Sequence, residues 1–221
     1  MKPLSILAAA GIALAATAAA MAATITGSGK PATQEREARD FSGVAIAIPA
    51  QVELTQGATE GLRITADDNV LAQIESFVDR GVLRLRLREG TQVRRATIRV
   101  AVQARVLESI AIAGSGDVRA ADLATPRLRL TIAGSGDAQL GGKADALEVR
   151  ISGSGDVKAA RLAAREARVS ISGSGDATVW AREALQVRVA GSGDVGYYGD
   201  PMVRKSVSGA GSVRRLGATP G

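Results

Sequence analysis

The chain has 221 residues, 46% of them apolar and only 2% aromatic, with a formal net charge of +6 and neither cysteine nor histidine. The missing cysteine excludes disulfides, thiol nucleophiles, thiolate metal sites and a lipid-modified cysteine, and the missing histidine removes the commonest general base and any Ser-His-Asp triad. Chemistry could run only on carboxylates, Lys, Arg, Tyr or backbone.

Residues 1–22, "MKPLSILAAAGIALAATAAAMA", set one cation, Lys2, before an apolar run from Leu4 and end in the small-residue site Ala20-Met21-Ala22. That layout predicts a secretory signal peptide cut after Ala22; its alanine-rich run and small-residue end disfavour an uncleaved anchor. The mature chain then holds about 199 residues, has no other apolar run long enough to span a bilayer, and keeps a cation excess of +5 once Lys2 is lost. For an exported chain that excess suits anionic envelope polymer or acidic polysaccharide rather than nucleic acid, or simply maintains a solvated surface.

Residues 23–40 are polar and rich in turn formers, which predicts a flexible leader before a single domain over 41–215. Within 41–105, the stretches Val44–Ile48, Val52–Leu54, Leu62–Thr65, Val82–Arg88 and Ala96–Val102 alternate apolar and polar residues, the mark of half-buried strands. A single helix is expected over Asn69–Ser76, with Asp67 or Asp68 as N-cap and Val70, Leu71 and Ile74 facing inward. This irregular part is expected to continue the stack that follows and to cap one end.

From residue 106 to 215 the chain repeats. GSGD begins at Gly114, Gly134, Gly153, Gly173 and Gly191, and a degenerate GAGS begins at Gly209. The interval stays near twenty residues, as in a solenoid whose repeats bury their apolar face only against neighbours. Before each corner the apolar residues alternate, as in Leu128, Leu130 and Ile132 or Leu147, Val149 and Ile151; a shorter alternating piece follows, such as Val118 and Ala120. A meander of antiparallel strands or a coil of parallel ones fits this pattern. Identical corners at a near-constant period favour the coil, so the fold class is all-β, a right-handed parallel β-helix or β-solenoid-like stack of about 20 residues per coil with one short helix. The degenerate last copy with Pro201 and Pro220 reads as a blunted terminus ahead of a tail at 216–221, and exposed strand edges leave a homo-oligomer open.

The corner explains itself structurally. Two alternate glycines supply positive φ, and Ser and Asp bond the freed amides. A coil also turns Asp117, Asp137, Asp156, Asp176 and Asp194 into a ladder of like charges about 4.8 Å apart. They are the candidate calcium ligands, since hard cations take carboxylate oxygens. The calcium-binding β-roll repeats every nine residues, however, about half the spacing here, so amide-bonded aspartates offset by Arg119, Lys158 and Arg182 are the preferred reading. No cofactor is implied. Arg127, Arg129, Arg150, Arg168 and Arg188 fall at outward positions and would form a basic stripe suited to polyanions; Arg84, Arg86 and Arg88 form a second such face.

The segment from Phe41 to Leu87, with "VELTQG" at Val52–Gly57 and "GVLRLRL" at Gly81–Leu87, followed by serial SGSGD, resembles the putative auto-transporter adhesin head domain, the GIN domain of bacterial exported proteins. The resemblance spans Phe41 to Val213 and implies a β-solenoid-like fold and an envelope location. It brings no catalytic residues, and no C-terminal stretch alternates over enough strands for a membrane barrel.

The function expected is a non-enzymatic, adhesin-like binding module, periplasmic or at the cell surface. The alternatives are a polysaccharide lyase or glycosidase on a β-helix, or a calcium-binding structural protein. A glycosidase needs two carboxylates in different environments, which a ladder of equivalent aspartates does not provide. Trp180, Tyr197 and Tyr198 are read as packing or cap residues rather than a sugar platform.

Overall fold

A computed structural model of the chain describes residues 23–221, so the expected signal peptide at 1–22 lies outside the described residues. Strands take up 71% of these residues, and the chain forms a β-solenoid of about five turns with roughly 20 residues per turn.

The N-terminal part contains β1 (Ala23–Thr26), β2 (Pro31–Arg36), β3 (Gly43–Ala47), β4 (Ala50–Gln56), β5 (Gly61–Asp67), the helical turn α1 (Asp68–Leu71), β6 (Ile74–Asp79), β7 (Val82–Leu87), β8 (Thr91–Arg94) and β9 (Ile98–Ala104). The repeats follow as β10 (Ser109–Gly114), four long strands β11 (Asp117–Gly134), β12 (Ala138–Gly153), β13 (Val157–Gly173) and β14 (Ala177–Gly191), then β15 (Val195–Tyr198), β16 (Met202–Gly209) and β17 (Val213–Gly217).

Pairing through the repeats is parallel, which rules out the meander. Ile132, Ile151, Ile171 and Val189 stack in register, as do Leu130, Val149, Val169 and Val187, and all eight are buried. Each such side chain stabilises the stack by roughly 1.5–3 kcal/mol through removal of apolar surface from water. The unequal intervals between corners are absorbed at register shifts, between Ala120 and Leu123, between Gln139 and Gly141 and, in β13, between Ala159 and Ala163 and between Ala164 and Glu166, where the coil turns onto a short third side.

The N-terminal part continues the same stack. β3 lies parallel between β10 and β7, and β4 lies parallel between β11 and β9. Antiparallel strands then close this end, β6 on β7 and β5 on β9, with β2 antiparallel on β5.

Three expectations change. Residues 23–40, expected as a flexible leader, carry β1, paired with β8, and β2. β2 is held by a residue with no apolar signature: the guanidinium of half-buried Arg36 donates to the carbonyls of Ile74 at 2.6 Å and Leu71 at 3.0 Å. The helix ends at Leu71 rather than Ser76, because Ile74 pairs with Leu87 and Ser76 with Leu85. One turn has little stability of its own, so strand pairing decides; Val70, Leu71 and Ile74 are still buried. The tail is paired as far as Gly217, opposite Tyr198.

Candidate functional site

At every corner in the stack, the carboxylate of one rung accepts the backbone amide of the next. Asp137 donates its N–H to Asp117 at 3.3 Å, Asp156 to Asp137 at 2.9 Å, Asp176 to Asp156 at 3.0 Å, Asp194 to Asp176 at 2.7 Å and Ser212 to Asp194 at 2.8 Å. The ladder is therefore a column of charge-assisted hydrogen bonds. The offsetting role expected of Arg119, Lys158 and Arg182 falls to these amides: none of the three forms an ion pair with a corner aspartate among the described residues. Each Oδ1 is taken by an amide, and no three acidic side chains converge among the described residues. Ser212, through hydroxyl and amide, with Arg214 nearby, holds the Asp194 carboxyl below its ordinary value.

The two corner glycines do different work. The first has positive φ in every copy, from 102° at Gly114 to 136° at Gly173. The second does not; it is glycine because a Cβ on Gly136, Gly155, Gly175 or Gly193 would collide with the carbonyl oxygen of the equivalent glycine one rung back. Close approach of rungs, not positive φ, thus sets the second position.

Arg127, Arg129, Arg150, Arg168 and Arg188 are all exposed on the face before the corners. They do not stack on one another. One column runs Arg129, Glu148, Arg168, Gln186, Arg204; its neighbour runs Thr131, Arg150, Ser170, Arg188, Ser206; Arg127 heads a third with Ala146, Glu166, Ala184 and Met202. Glu148 lies between two cations, 3.1 Å from Arg129 and 2.6 Å from Arg150. Arg168 donates to Gln186 at 3.0 Å. Arg127, Arg188 and Arg204 form no ion pair among the described residues. The small side chains of Ala146 and Ala184 leave a shallow trough of about 640 Å³, walled by Arg127, Arg129, Arg150, Arg168 and Arg204 against Glu148 and Glu166. Arg188 stays outside it.

Arg204 was missed from the sequence although a signal existed: it precedes Gly209 by the same five positions that separate Arg129 from Gly134, and only the degenerate last corner concealed it. The second basic face is partly offset by two carboxylates. Arg84 bonds Asp79 at 3.2 Å, and Glu75 lies 2.8 Å from Arg86 and 4.0 Å from Arg88.

Residues 40–201 match the family described as putative auto-transporter adhesin, head GIN domain. The chain belongs to that family. The GIN-domain fold recurs in a crystal structure of a putative adhesin from Bacteroides fragilis, 24% identical with a TM-score of 0.70, covering 87% of this chain and 100% of that one. A protein from Parabacteroides distasonis, described as a putative lipid binding protein, is 23% identical with a TM-score of 0.62 over 88% of this chain and 100% of its own. A putative adhesin from Parabacteroides merdae is 20% identical with a TM-score of 0.51, covering 87% and 99%. No curated protein matches the chain. No helix among the described residues is long and apolar enough to cross a membrane.

Proposed function

We propose that this GIN-domain chain is an exported, non-enzymatic binding module of the bacterial envelope that holds an acidic polymer along the arginine trough. The observation that carries the reading is the register: it places Arg129, Arg168 and Arg204 on alternate rungs of one column, with Arg150 and Arg188 on the intervening rungs of the next. Cations in a column then repeat about every 9–10 Å along the solenoid, two strand spacings. A parallel stack keeps that interval rigid, so a chain with regularly spaced carboxylates meets matched charges without ordering the protein. The family's adhesin description and its adhesin-like structural relatives support an exported surface role. An enzyme reading is weaker, because the corner aspartates share one bonding pattern and lack the asymmetry that acid and base roles require.

The test is calorimetric titration of the mature chain with polygalacturonate and with a neutral glucan at stepped salt. Binding to the acidic polymer alone, weakening as salt rises and at least about tenfold weaker in Arg168→Glu/Arg204→Glu, supports the reading. Equal affinity for both polymers, or for variant and parent, overturns it.

A further inference from the structure

Trp180 is the only tryptophan in the chain, and the register places it on the surface rather than in the core. On the third side of the coil the inward column is Thr125, Ala144, Ala164 and Ala181, all small and all buried. The outward column beside it is Ala124, Lys143, Ala163 and Trp180, and Tyr198 follows one rung beyond. A large ring thus stands half-buried in a row whose earlier members include two alanines, and it borders a hollow of about 550 Å³. Pro126 and Thr125 line the same hollow, and Lys143, Asp145 and Arg182 bring charge to it.

Trp180, expected from the sequence to pack or cap, lies on the outward side of the buried column of Thr125, Ala144, Ala164 and Ala181. No cation is seated over the indole among the described residues, the one such pair being Arg86 over Phe77 at 5.1 Å. Neither Lys143 nor Arg182 is in an ion pair among the described residues. An aromatic side chain lining the hollow, two unpaired cations and one carboxylate form a mixed site: an apolar platform to stack a ring, charge to hold an anion and an acceptor for hydroxyls.

We propose that this hollow is a second, separate binding site, for an acidic sugar: the sugar ring stacks on Trp180, its carboxylate pairs with Lys143 and Arg182, and Asp145 accepts from a hydroxyl. The site does not depend on the arginine trough, which lies on the face before the corners and shares no lining residue with it.

Because Trp180 is the sole indole, tryptophan emission of the whole mature chain reports on this site directly. The probe is a short oligogalacturonate, with a neutral gluco-oligosaccharide of the same length as its counterpart. The expected result is a saturable emission change with the acidic oligosaccharide only, at least about tenfold weaker in Lys143→Glu/Arg182→Glu, and retained in Arg168→Glu/Arg204→Glu. Calorimetry on Trp180→Ala, with far-UV circular dichroism matching the parent, should show the same loss. The proposal is overturned by no saturable change, by an equal response to the neutral sugar, or by a response that survives in Lys143→Glu/Arg182→Glu. A response lost only in the Arg168→Glu/Arg204→Glu chain would assign binding to the trough and also overturn it. Absence of polymer binding at the trough leaves the Trp180 response unchanged, so the two readings fail separately.

Discussion

Alanine at three glycines separates the two demands of the corner. Gly90 has φ 72° and nothing within 4 Å of an added Cβ, so Gly90→Ala costs only the left-handed backbone, about 1 kcal/mol. Gly155 is not among the positive-φ glycines, but its Cβ would meet the Gly136 carbonyl oxygen and lie 2.9 Å from Ile132 Cγ2. Overpacking of that kind costs about 1–3 kcal/mol. Gly153 combines both faults, φ 129° and a collision with the Gly134 carbonyl oxygen, so backbone strain of about 1–3 kcal/mol adds to a similar steric cost. Loss of unfolded-chain freedom offsets about 0.4–1 kcal/mol in each variant. The expected order of destabilisation is Gly153→Ala, then Gly155→Ala, then Gly90→Ala, with a net loss of roughly 2–5 kcal/mol for the first. At about 2–4 °C per kcal/mol in a domain of this size, its melting temperature falls by roughly 10 °C. Urea denaturation at unchanged m reads the order as midpoint shifts. A Gly153→Ala midpoint within error of Gly90→Ala would refute the close inter-rung approach on which the corner and both binding faces depend.

Truncating the interior at Ile151→Ala, where the side chain is 1% exposed, should cost about 2–5 kcal/mol by the same denaturation assay; a loss under about 1 kcal/mol would mean the stack collapses into the gap. Asp194 has a folded pKa held below its unfolded value, so its contribution is present above the unfolded pKa of about 3.9 and is lost as pH falls through the folded value. Asp194→Asn should therefore flatten the decline of the urea midpoint below about pH 5, and an unchanged acid limb would contradict the Ser212 contacts. Lys205 continues the buried column of Val149, Val169 and Val187 at the open end of the stack, where Met202 is 71% exposed. A charge there blunts a sticky edge, and Lys205→Val should shift sedimentation toward larger species; an unchanged profile would deny it that role.

Periodicity made the repeats legible and left the two ends obscure. In β11 to β14 the corners number the rungs, so the inward residues just before each corner, such as Leu128, Leu130 and Ile132, could be placed before any pairing was known, while the buried third side at Ala144, Leu162, Ala164 and Ala181 could not. The five alternating stretches of the N-terminal part likewise became β3, β4, β5, β7 and β9. β2 gave no such signal, because "PATQER" has no apolar face and is anchored instead by the Arg36 guanidinium on two carbonyls. β6 was hidden behind a helical pattern that the pairing of Ile74 with Leu87 overrides. Outward placement of the arginines was readable; their interleaving with Glu148 and Gln186 was not, since it depends on which residue of one rung meets which of the next.

That interleaving and the aspartate ladder are two answers to the same electrostatic problem. Like unit charges on adjacent rungs, about 4.8 Å apart, repel by about 0.9 kcal/mol in water, and on alternate rungs by about 0.4 kcal/mol. On the flat face nothing in the backbone can compensate, because the strand amides are already spent on the parallel ladder; arginines of one column accordingly recur on every second rung with Glu148 or Gln186 between them. At the corner the chain turns away from the ladder and presents a spare amide on each rung, so five aspartates can follow one another directly, each carboxylate accepting an N–H from the rung above. The negative column is thereby satisfied within the protein, while Arg127, Arg188 and Arg204 on the positive face have no internal counter-ion among the described residues. Removing one corner carboxylate should therefore perturb stability and leave affinity for an acidic polymer intact, whereas reversing Arg168 and Arg204 should do the opposite. Asp156→Asn and Arg168→Glu/Arg204→Glu compared in both assays decide it: a corner variant that lost polymer binding with its fold intact would place the ligand on the ladder instead.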